Sequence, residues 1–220
     1  ARAFDYRDYY VSNSSSGFND RFQRRQRFTS LGGFASYPLN RLYRIEGNLG
    51  YTQQRSARPF RTSIGSVQFD EFASDFLSSG VDLVGDSTRW QSFGPFQGHR
   101  LRIGPFYNFK VSGDDYYESY GGVQVDYRGY QHMTRRSLLA LRLSGAKQTS
   151  DSGRIFAIGG INQLRGSEFR DFFGTNYMLA NFEIRFPLLS AVILPWGGVI
   201  APIRGFAFVD AGTTWFDDQI

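Results

Sequence analysis

Apolar and polar residues alternate with a period of two in many segments of this chain, several of them roughly ten residues long. In residues 42–52, for example, Tyr43, Ile45 and Leu49 are apolar, whereas Arg44 lies on the opposite parity with other polar residues. Successive side chains of a β-strand point to opposite faces, so this period predicts strands. We predict about nine strands, at 2–11, 27–39, 42–52, 74–88, 100–108, 123–130, 136–146, 177–186 and 204–215.

The length and chemistry of these segments distinguish a membrane barrel from a soluble β-sandwich, which also shows period two. Several segments have the roughly ten residues that a tilted strand needs to cross a bilayer. Their polar faces carry charged residues in mid-strand, which suits a wet lumen. Their apolar faces carry aromatic residues near the strand ends, as an interfacial girdle requires: Tyr43, Tyr51, Tyr107 and Trp215. The sequence therefore predicts an all-β fold, an antiparallel transmembrane β-barrel.

Composition excludes several other classes of protein. No segment approaches the roughly 18 apolar residues of a membrane-spanning helix. The chain has no cysteine and only two histidines, so we expect no metal site and no cofactor. The net charge of +5 is spread along the chain among acidic residues, and we expect no nucleic-acid binding.

The connections between strands are predicted to alternate in length. Residues 38–41 and 133–135 form tight turns, whereas 53–73, 109–118 and 150–175 are long. Short turns at one end and long loops at the other are typical of outer-membrane barrels.

Three motifs follow one another near the C-terminal end of the sequence. Leu164–Gly166 lies in the predicted long loop, Asn181–Leu188 lies in the next strand, and Phe208–Gly212 lies in the last one. Glu183 and Asp210, in the second and third motifs, both fall on the polar parity of their strands. Both carboxylates are therefore expected to face the lumen.

With these motifs the sequence resembles the BamA/TamA family of outer-membrane assembly factors, also called the bacterial surface-antigen superfamily. In that family a long extracellular loop carries an Arg-Gly motif that folds into the barrel, and the next two strands carry a luminal Glu and a Phe-x-Asp-x-Gly motif. The matching residues are Arg165, Gly166, Glu183, Phe208, Asp210 and Gly212. Ser167 departs from the pattern, because the family usually has an aromatic residue there.

The resemblance implies that residues 150–175 form an extracellular loop, which folds into the lumen and is locked there by Arg165. A planar guanidinium can bind two carboxylates, and Gly166 permits a sharp reversal of the backbone. The residues alone favour another interpretation, in which Arg165 is a solvated loop residue and Glu183 and Asp210 are ordinary luminal charges. The resemblance also implies a barrel of about sixteen strands. Residues 1–220 are then expected to be a partial barrel domain, incomplete at both ends.

For function, the resemblance implies non-enzymatic insertion, assembly or translocation of polypeptides at the bacterial outer membrane. The implied partners are outer-membrane lipid and lipopolysaccharide, unfolded outer-membrane or secreted polypeptides as clients, and accessory lipoproteins or periplasmic domains. An enzymatic barrel needs a histidine beside an acid or a serine, and neither His99 nor His132 has an obvious catalytic setting.

A passive porin or transporter barrel is the alternative function. Four arginines on polar parities would suit a pore that attracts anions; they are Arg44, Arg102, Arg128 and Arg142. The competing interpretation of these arginines is charge balance with the luminal acids Glu46, Asp82 and Asp126.

Overall fold

The structure is a computed structural model that describes residues 2–11, 23–61, 67–91, 94–115, 117–134, 136–151, 153–189, 192–193, 195–200 and 203–217. No helix in these ranges is long and apolar enough to cross a membrane. The fourteen strands in the described residues are β1 (Arg2–Val11), β2 (Gln23–Pro38), β3 (Tyr43–Arg61), β4 (Val67–Asp86), β5 (Arg89–Gln91), β6 (Gly94–Gly113), β7 (Tyr120–His132), β8 (Leu138–Gln148), β9 (Phe156–Ile158), β10 (Phe172–Gly174), β11 (Asn176–Leu189), β12 (Val192–Ile193), β13 (Val199–Ile200) and β14 (Ile203–Trp215).

Nine long strands form one antiparallel sheet in the order β1-β2-β3-β4-β6-β7-β8-β11-β14. Each pairs with the next long strand along the chain, which is the up-and-down topology of a barrel wall. The short strands make local hairpins: β5 pairs with β6, β9 with β10, and β12 with β13. The prediction of an all-β antiparallel fold is confirmed, and each of the nine predicted segments overlaps one of the long strands.

The prediction of a long loop over residues 53–73 is wrong. β3 and β4 stay paired beyond the predicted strands as far as Arg61 and Val67, and residues 62–66 lie outside the described part of the chain. Alternation arises where one face of a strand is apolar and the other polar. Residues 53–56 are polar on both parities, so the backbone ladder continues here without a signal in the sequence.

Both predicted tight turns are present at one end of the sheet, which we call the turn end. The Leu39 amide donates to the Tyr43 carbonyl (2.9 Å), and the Met133 amide donates to the Ser137 carbonyl (3.0 Å). At the opposite end, the loop predicted over 109–118 is shorter than expected, because β6 occupies its first half.

The two faces of the sheet differ in chemistry. On one face, which we call the outer face, apolar side chains are exposed, as with Val81 (54%), Val123 (46%) and Val209 (69%). A β-sandwich would cover such a face with a second sheet. A contiguous apolar face left exposed is what a barrel presents to lipid. The opposite, luminal face carries the polar parities, including the buried Glu46 and Asn181.

Candidate functional site

The loop between β8 and β11 reverses its direction at a pair of glycines. Gly159 and Gly160 have φ of 137° and 83°, in a region that L side chains rarely adopt. A Cβ on Gly159 would lie only 2.4 Å from the carbonyl oxygen of Glu168. The glycine therefore lets the outgoing and returning arms of the loop touch. Beyond it, the Gln163 amide donates to the Gly160 carbonyl (3.1 Å) and closes the turn that precedes Arg165.

Arg165 binds Asp210 of β14 through three hydrogen bonds. Its backbone amide and its Nε donate to Oδ2 at 3.0 and 2.7 Å, and its Nη2 donates to Oδ1 at 2.6 Å. The Asn181 side chain on β11 donates to the same Oδ1 at 2.8 Å. Only 2% of the Asp210 side chain is exposed. The contact fixes both the side chain and the backbone of the loop tip.

The second carboxylate on Arg165 belongs to Glu183 of β11. Nη1 of Arg165 donates to Oε1 at 2.6 Å, while Arg185 donates from Nε to Oε2 at 2.8 Å. Each oxygen of Glu183 thus has its own guanidinium. Two arginines and two carboxylates form a balanced cluster, which is the condition for keeping charges out of water.

Aromatic and small residues of β14 complete the site. The Arg165 guanidinium carbon lies 3.8 Å from the centre of the Phe208 ring, within cation–π range. A Cβ on Gly212 would lie 3.1 Å from Cδ1 of Ile158, so the glycine makes room for this buried side chain of β9 against β14. Gly166, next to the arginine, has φ of 93°.

The charge state of Arg165 follows from these contacts. Its hydrogen bonds to Asp210, and then the one to Glu183, raise its pKa above the usual value of a guanidinium. Arg165 is therefore positively charged at neutral pH. The structure joins Arg165 with Glu183, Phe208 and Asp210. Of the other two predicted site residues, Gly166 follows Arg165 with open space around it, and Gly212 packs against Ile158 and Leu179. The role of these residues as a lock stays a prediction.

A solved structure has a similar fold. No protein-family model matches the sequence, and no curated protein matches it. The structure of BamA from Haemophilus ducreyi lacking POTRA domains 1-3 aligns with 96% of this chain, at a TM-score of 0.67 and 18% sequence identity. This chain has the fold of a BamA barrel. It spans 45% of the length of that BamA chain.

Within this BamA fold, the site contains several residues that the sequence does not predict. Asn181 lies on the same polar parity as Glu183, and this parity is the sequence feature that could have identified it. No sequence feature identifies Gln163. Its carbonyl oxygen accepts a hydrogen bond from Asn181, and its side chain accepts one from the Gly159 amide. Ser167, which departs from the family pattern, donates to the Leu164 carbonyl (2.8 Å) and so stabilises the tip from within.

A buried glutamine, Gln148, joins the two ends of the loop at its base, and no sequence pattern predicts this role. Nε2 of Gln148 donates to the carbonyls of Arg154 and Thr175, both at 2.6 Å, and its Oε1 accepts from the Arg154 amide at 3.1 Å. The Gln148 amide itself donates to the buried Asn176 (2.8 Å). The two ends of the loop are therefore tied to each other where they leave β8 and enter β11.

The four luminal arginines all have carboxylate partners. These are the acids named as their charge balance, and the pairs are Arg44 with Glu46, Arg102 with Glu46, Arg102 with Asp82, Arg128 with Asp126 and Arg142 with Asp126. The interpretation as charge balance is therefore the one that the geometry supports.

The histidines have contacts of a different kind. Nδ1 of His99 lies 3.3 Å from Oγ of Ser87, whose hydroxyl also donates to the His99 carbonyl (3.1 Å). This serine hydroxyl is already used in a backbone contact between neighbouring strands. No cluster of three or more metal-ligating side chains occurs in the part of the chain that the structure describes.

Proposed function

We propose that this chain is the barrel wall of an outer-membrane protein of the BamA type, which inserts, assembles or translocates other polypeptides without enzymatic catalysis. The observation that carries the proposal is the loop tip bound by Arg165 to Glu183 and Asp210 on a sheet with the BamA fold. The implied place of action is the bacterial outer membrane, with lipid and lipopolysaccharide around the barrel.

The loop contact supports this function because the loop tip lies against the luminal face of the sheet. A lumen partly filled by an ordered loop is a poor passive channel. Polypeptide clients would instead add as strands to an exposed sheet edge, where backbone hydrogen bonds supply affinity for many sequences. Local mismatch between barrel and bilayer would lower the barrier for their insertion. Accessory lipoproteins or periplasmic domains would deliver the clients.

A passive porin is less well supported. An anion pore needs positive charges that are free to attract the solute, and the four luminal arginines are bound to carboxylates. The bound carboxylates therefore cancel most of the electric field of these arginines at short range.

The proposal is tested with the full-length protein in liposomes. An unfolded outer-membrane protein is added as client, and its folded fraction is followed by heat-modifiable mobility on a gel. We expect faster client folding than in empty liposomes and than in liposomes that contain an unrelated barrel at equal density. Equal rates in all three preparations would contradict the proposal. Arg165→Ala is expected to slow the reaction, and Arg154→Ala, in the same loop, serves as the matched control.

A further inference from the structure

The connection between β11 and β14 is unusual among the connections at the turn end. No charged residue occurs between Arg185 and Arg204, where the sequence reads FPLLSAVILPWGGVIAPI. The other three connections at this end each contain arginine: Arg41, Arg89 and Arg136. Turns that enter water are normally polar. The composition of this one therefore indicates a different environment.

The structure forms a small hairpin in this connection, in which the Val192 side chain is 41% exposed. β12 pairs with β13 through Val192 and Ile200 and through Ile193 and Val199. Trp196 at the tip is 78% exposed. Single exposed apolar residues are ordinary on protein surfaces, whereas a contiguous exposed apolar group marks an interaction site.

The roots of this hairpin continue the outer face of the barrel wall. Leu188 is 59% exposed, and its Cδ1 lies 2.9 Å from the position that a Cβ of Gly205 would take. Gly205 has the same parity on β14 as Val209, which is on the outer face. Ile203, 46% exposed, shares that parity. Exposed apolar side chains therefore lie both on the outer face and at the roots of the hairpin.

We propose that the hairpin formed by β12 and β13, with Trp196 between them, enters the membrane leaflet at the turn end of the barrel; we call it the apolar hairpin. Given the proposed function, this is the periplasmic leaflet. Backbone groups without partners are costly in hydrocarbon, so a two-stranded hairpin belongs in the interfacial layer and not in the bilayer centre. Tryptophan is enriched in that layer, because its ring is apolar and its indole N–H finds a polar partner there. The hairpin therefore anchors the wall to lipid beside β11 and β14.

Tryptophan fluorescence with lipid-bound quenchers tests this placement. In full-length protein in liposomes, every tryptophan except Trp196 is replaced by phenylalanine, and lipids with brominated acyl chains are compared with ordinary lipids. We expect blue-shifted Trp196 emission that brominated lipids quench and aqueous acrylamide barely affects. A matched variant keeps only Trp90, which is 70% exposed at the same end of the sheet but lies between Arg89 and Gln91. Its quenching by brominated lipid is expected to be weaker.

If protein or water surrounds Trp196 instead of lipid, the fluorescence results will differ. Blue-shifted emission that brominated lipid does not quench would mean that protein covers Trp196. Red-shifted emission that acrylamide quenches would mean that water does. Either result overturns the proposal. Val192→Cys, labelled with an environment-sensitive dye, repeats the measurement without relying on Trp196, and heat-modifiable mobility verifies that each variant is folded.

A reference position separates failure of this inference from failure of the proposed function. Phe182→Trp, as the one tryptophan, probes the outer face of β11, where the phenylalanine is 40% exposed. Quenching by brominated lipid at this position but not at Trp196 overturns the hairpin placement alone. Absence of quenching at both means that the wall itself is not in the bilayer, and the proposed function then fails as well.

Discussion

Arg165 binds two carboxylates, and one of them, Asp210, is almost completely buried. Removing the guanidinium in Arg165→Ala leaves the Asp210 charge without its main partner, at a cost of about 3–5 kcal/mol for a buried pair. We expect the loop to leave its site, with faster proteolysis of the loop and loss of heat-modifiable mobility. Arg165→Lys retains the charge but not the fork of donors, so an intermediate effect is expected.

Arg154→Ala is the control for this change. Arg154 lies in the same loop with its guanidinium over the Phe156 ring, and its backbone contacts with Gln148 do not depend on the side chain. Mobility and protease resistance that are the same in Arg165→Ala and in the unaltered protein would contradict the lock.

The two carboxylates are predicted to contribute unequally. Asp210 accepts three hydrogen bonds from Arg165 and has 2% of its side chain exposed, whereas Glu183 accepts one from Arg165 and is 17% exposed. Asp210→Asn should therefore lower the urea midpoint of unfolding more than Glu183→Gln. The reverse order, at equal folded yields, would show that β11 and not β14 holds the loop.

The strand positions were predictable because one face of each strand is apolar, so apolar residues recur at every second position of the sequence. Residues 53–56 are polar on both parities, so the sequence predicts a loop there although β3 continues through them. Asn181 had the parity of Glu183 and could have been included in the site. Gln148 donates hydrogen bonds to backbone carbonyls at the base of the loop, and no sequence pattern predicts such a contact.

The turn elements of the loop allow a comparison of two glycines. Gly166 has φ of 93° with open space around it, so Gly166→Ala should cost about 1–2 kcal/mol from backbone strain alone. Gly159 has φ of 137° and the Glu168 carbonyl 2.4 Å from a Cβ. Gly159→Ala should therefore cost more and expose the loop. Rates of limited proteolysis measure the difference, and equal rates would show that the two arms do not pack as described.

At the scale of the whole molecule, single-channel conductance distinguishes an assembly barrel from a porin. A loop held in the lumen and luminal arginines bound to Glu46, Asp82 and Asp126 predict small, irregular currents with weak preference for anions. Arg165→Ala releases the loop tip and should lengthen the open periods in planar bilayers, whereas Arg154→Ala should leave them unchanged. A large, steady, anion-selective current from the unaltered protein would favour a porin, because it requires an empty lumen whose positive charges are free to act on the solute.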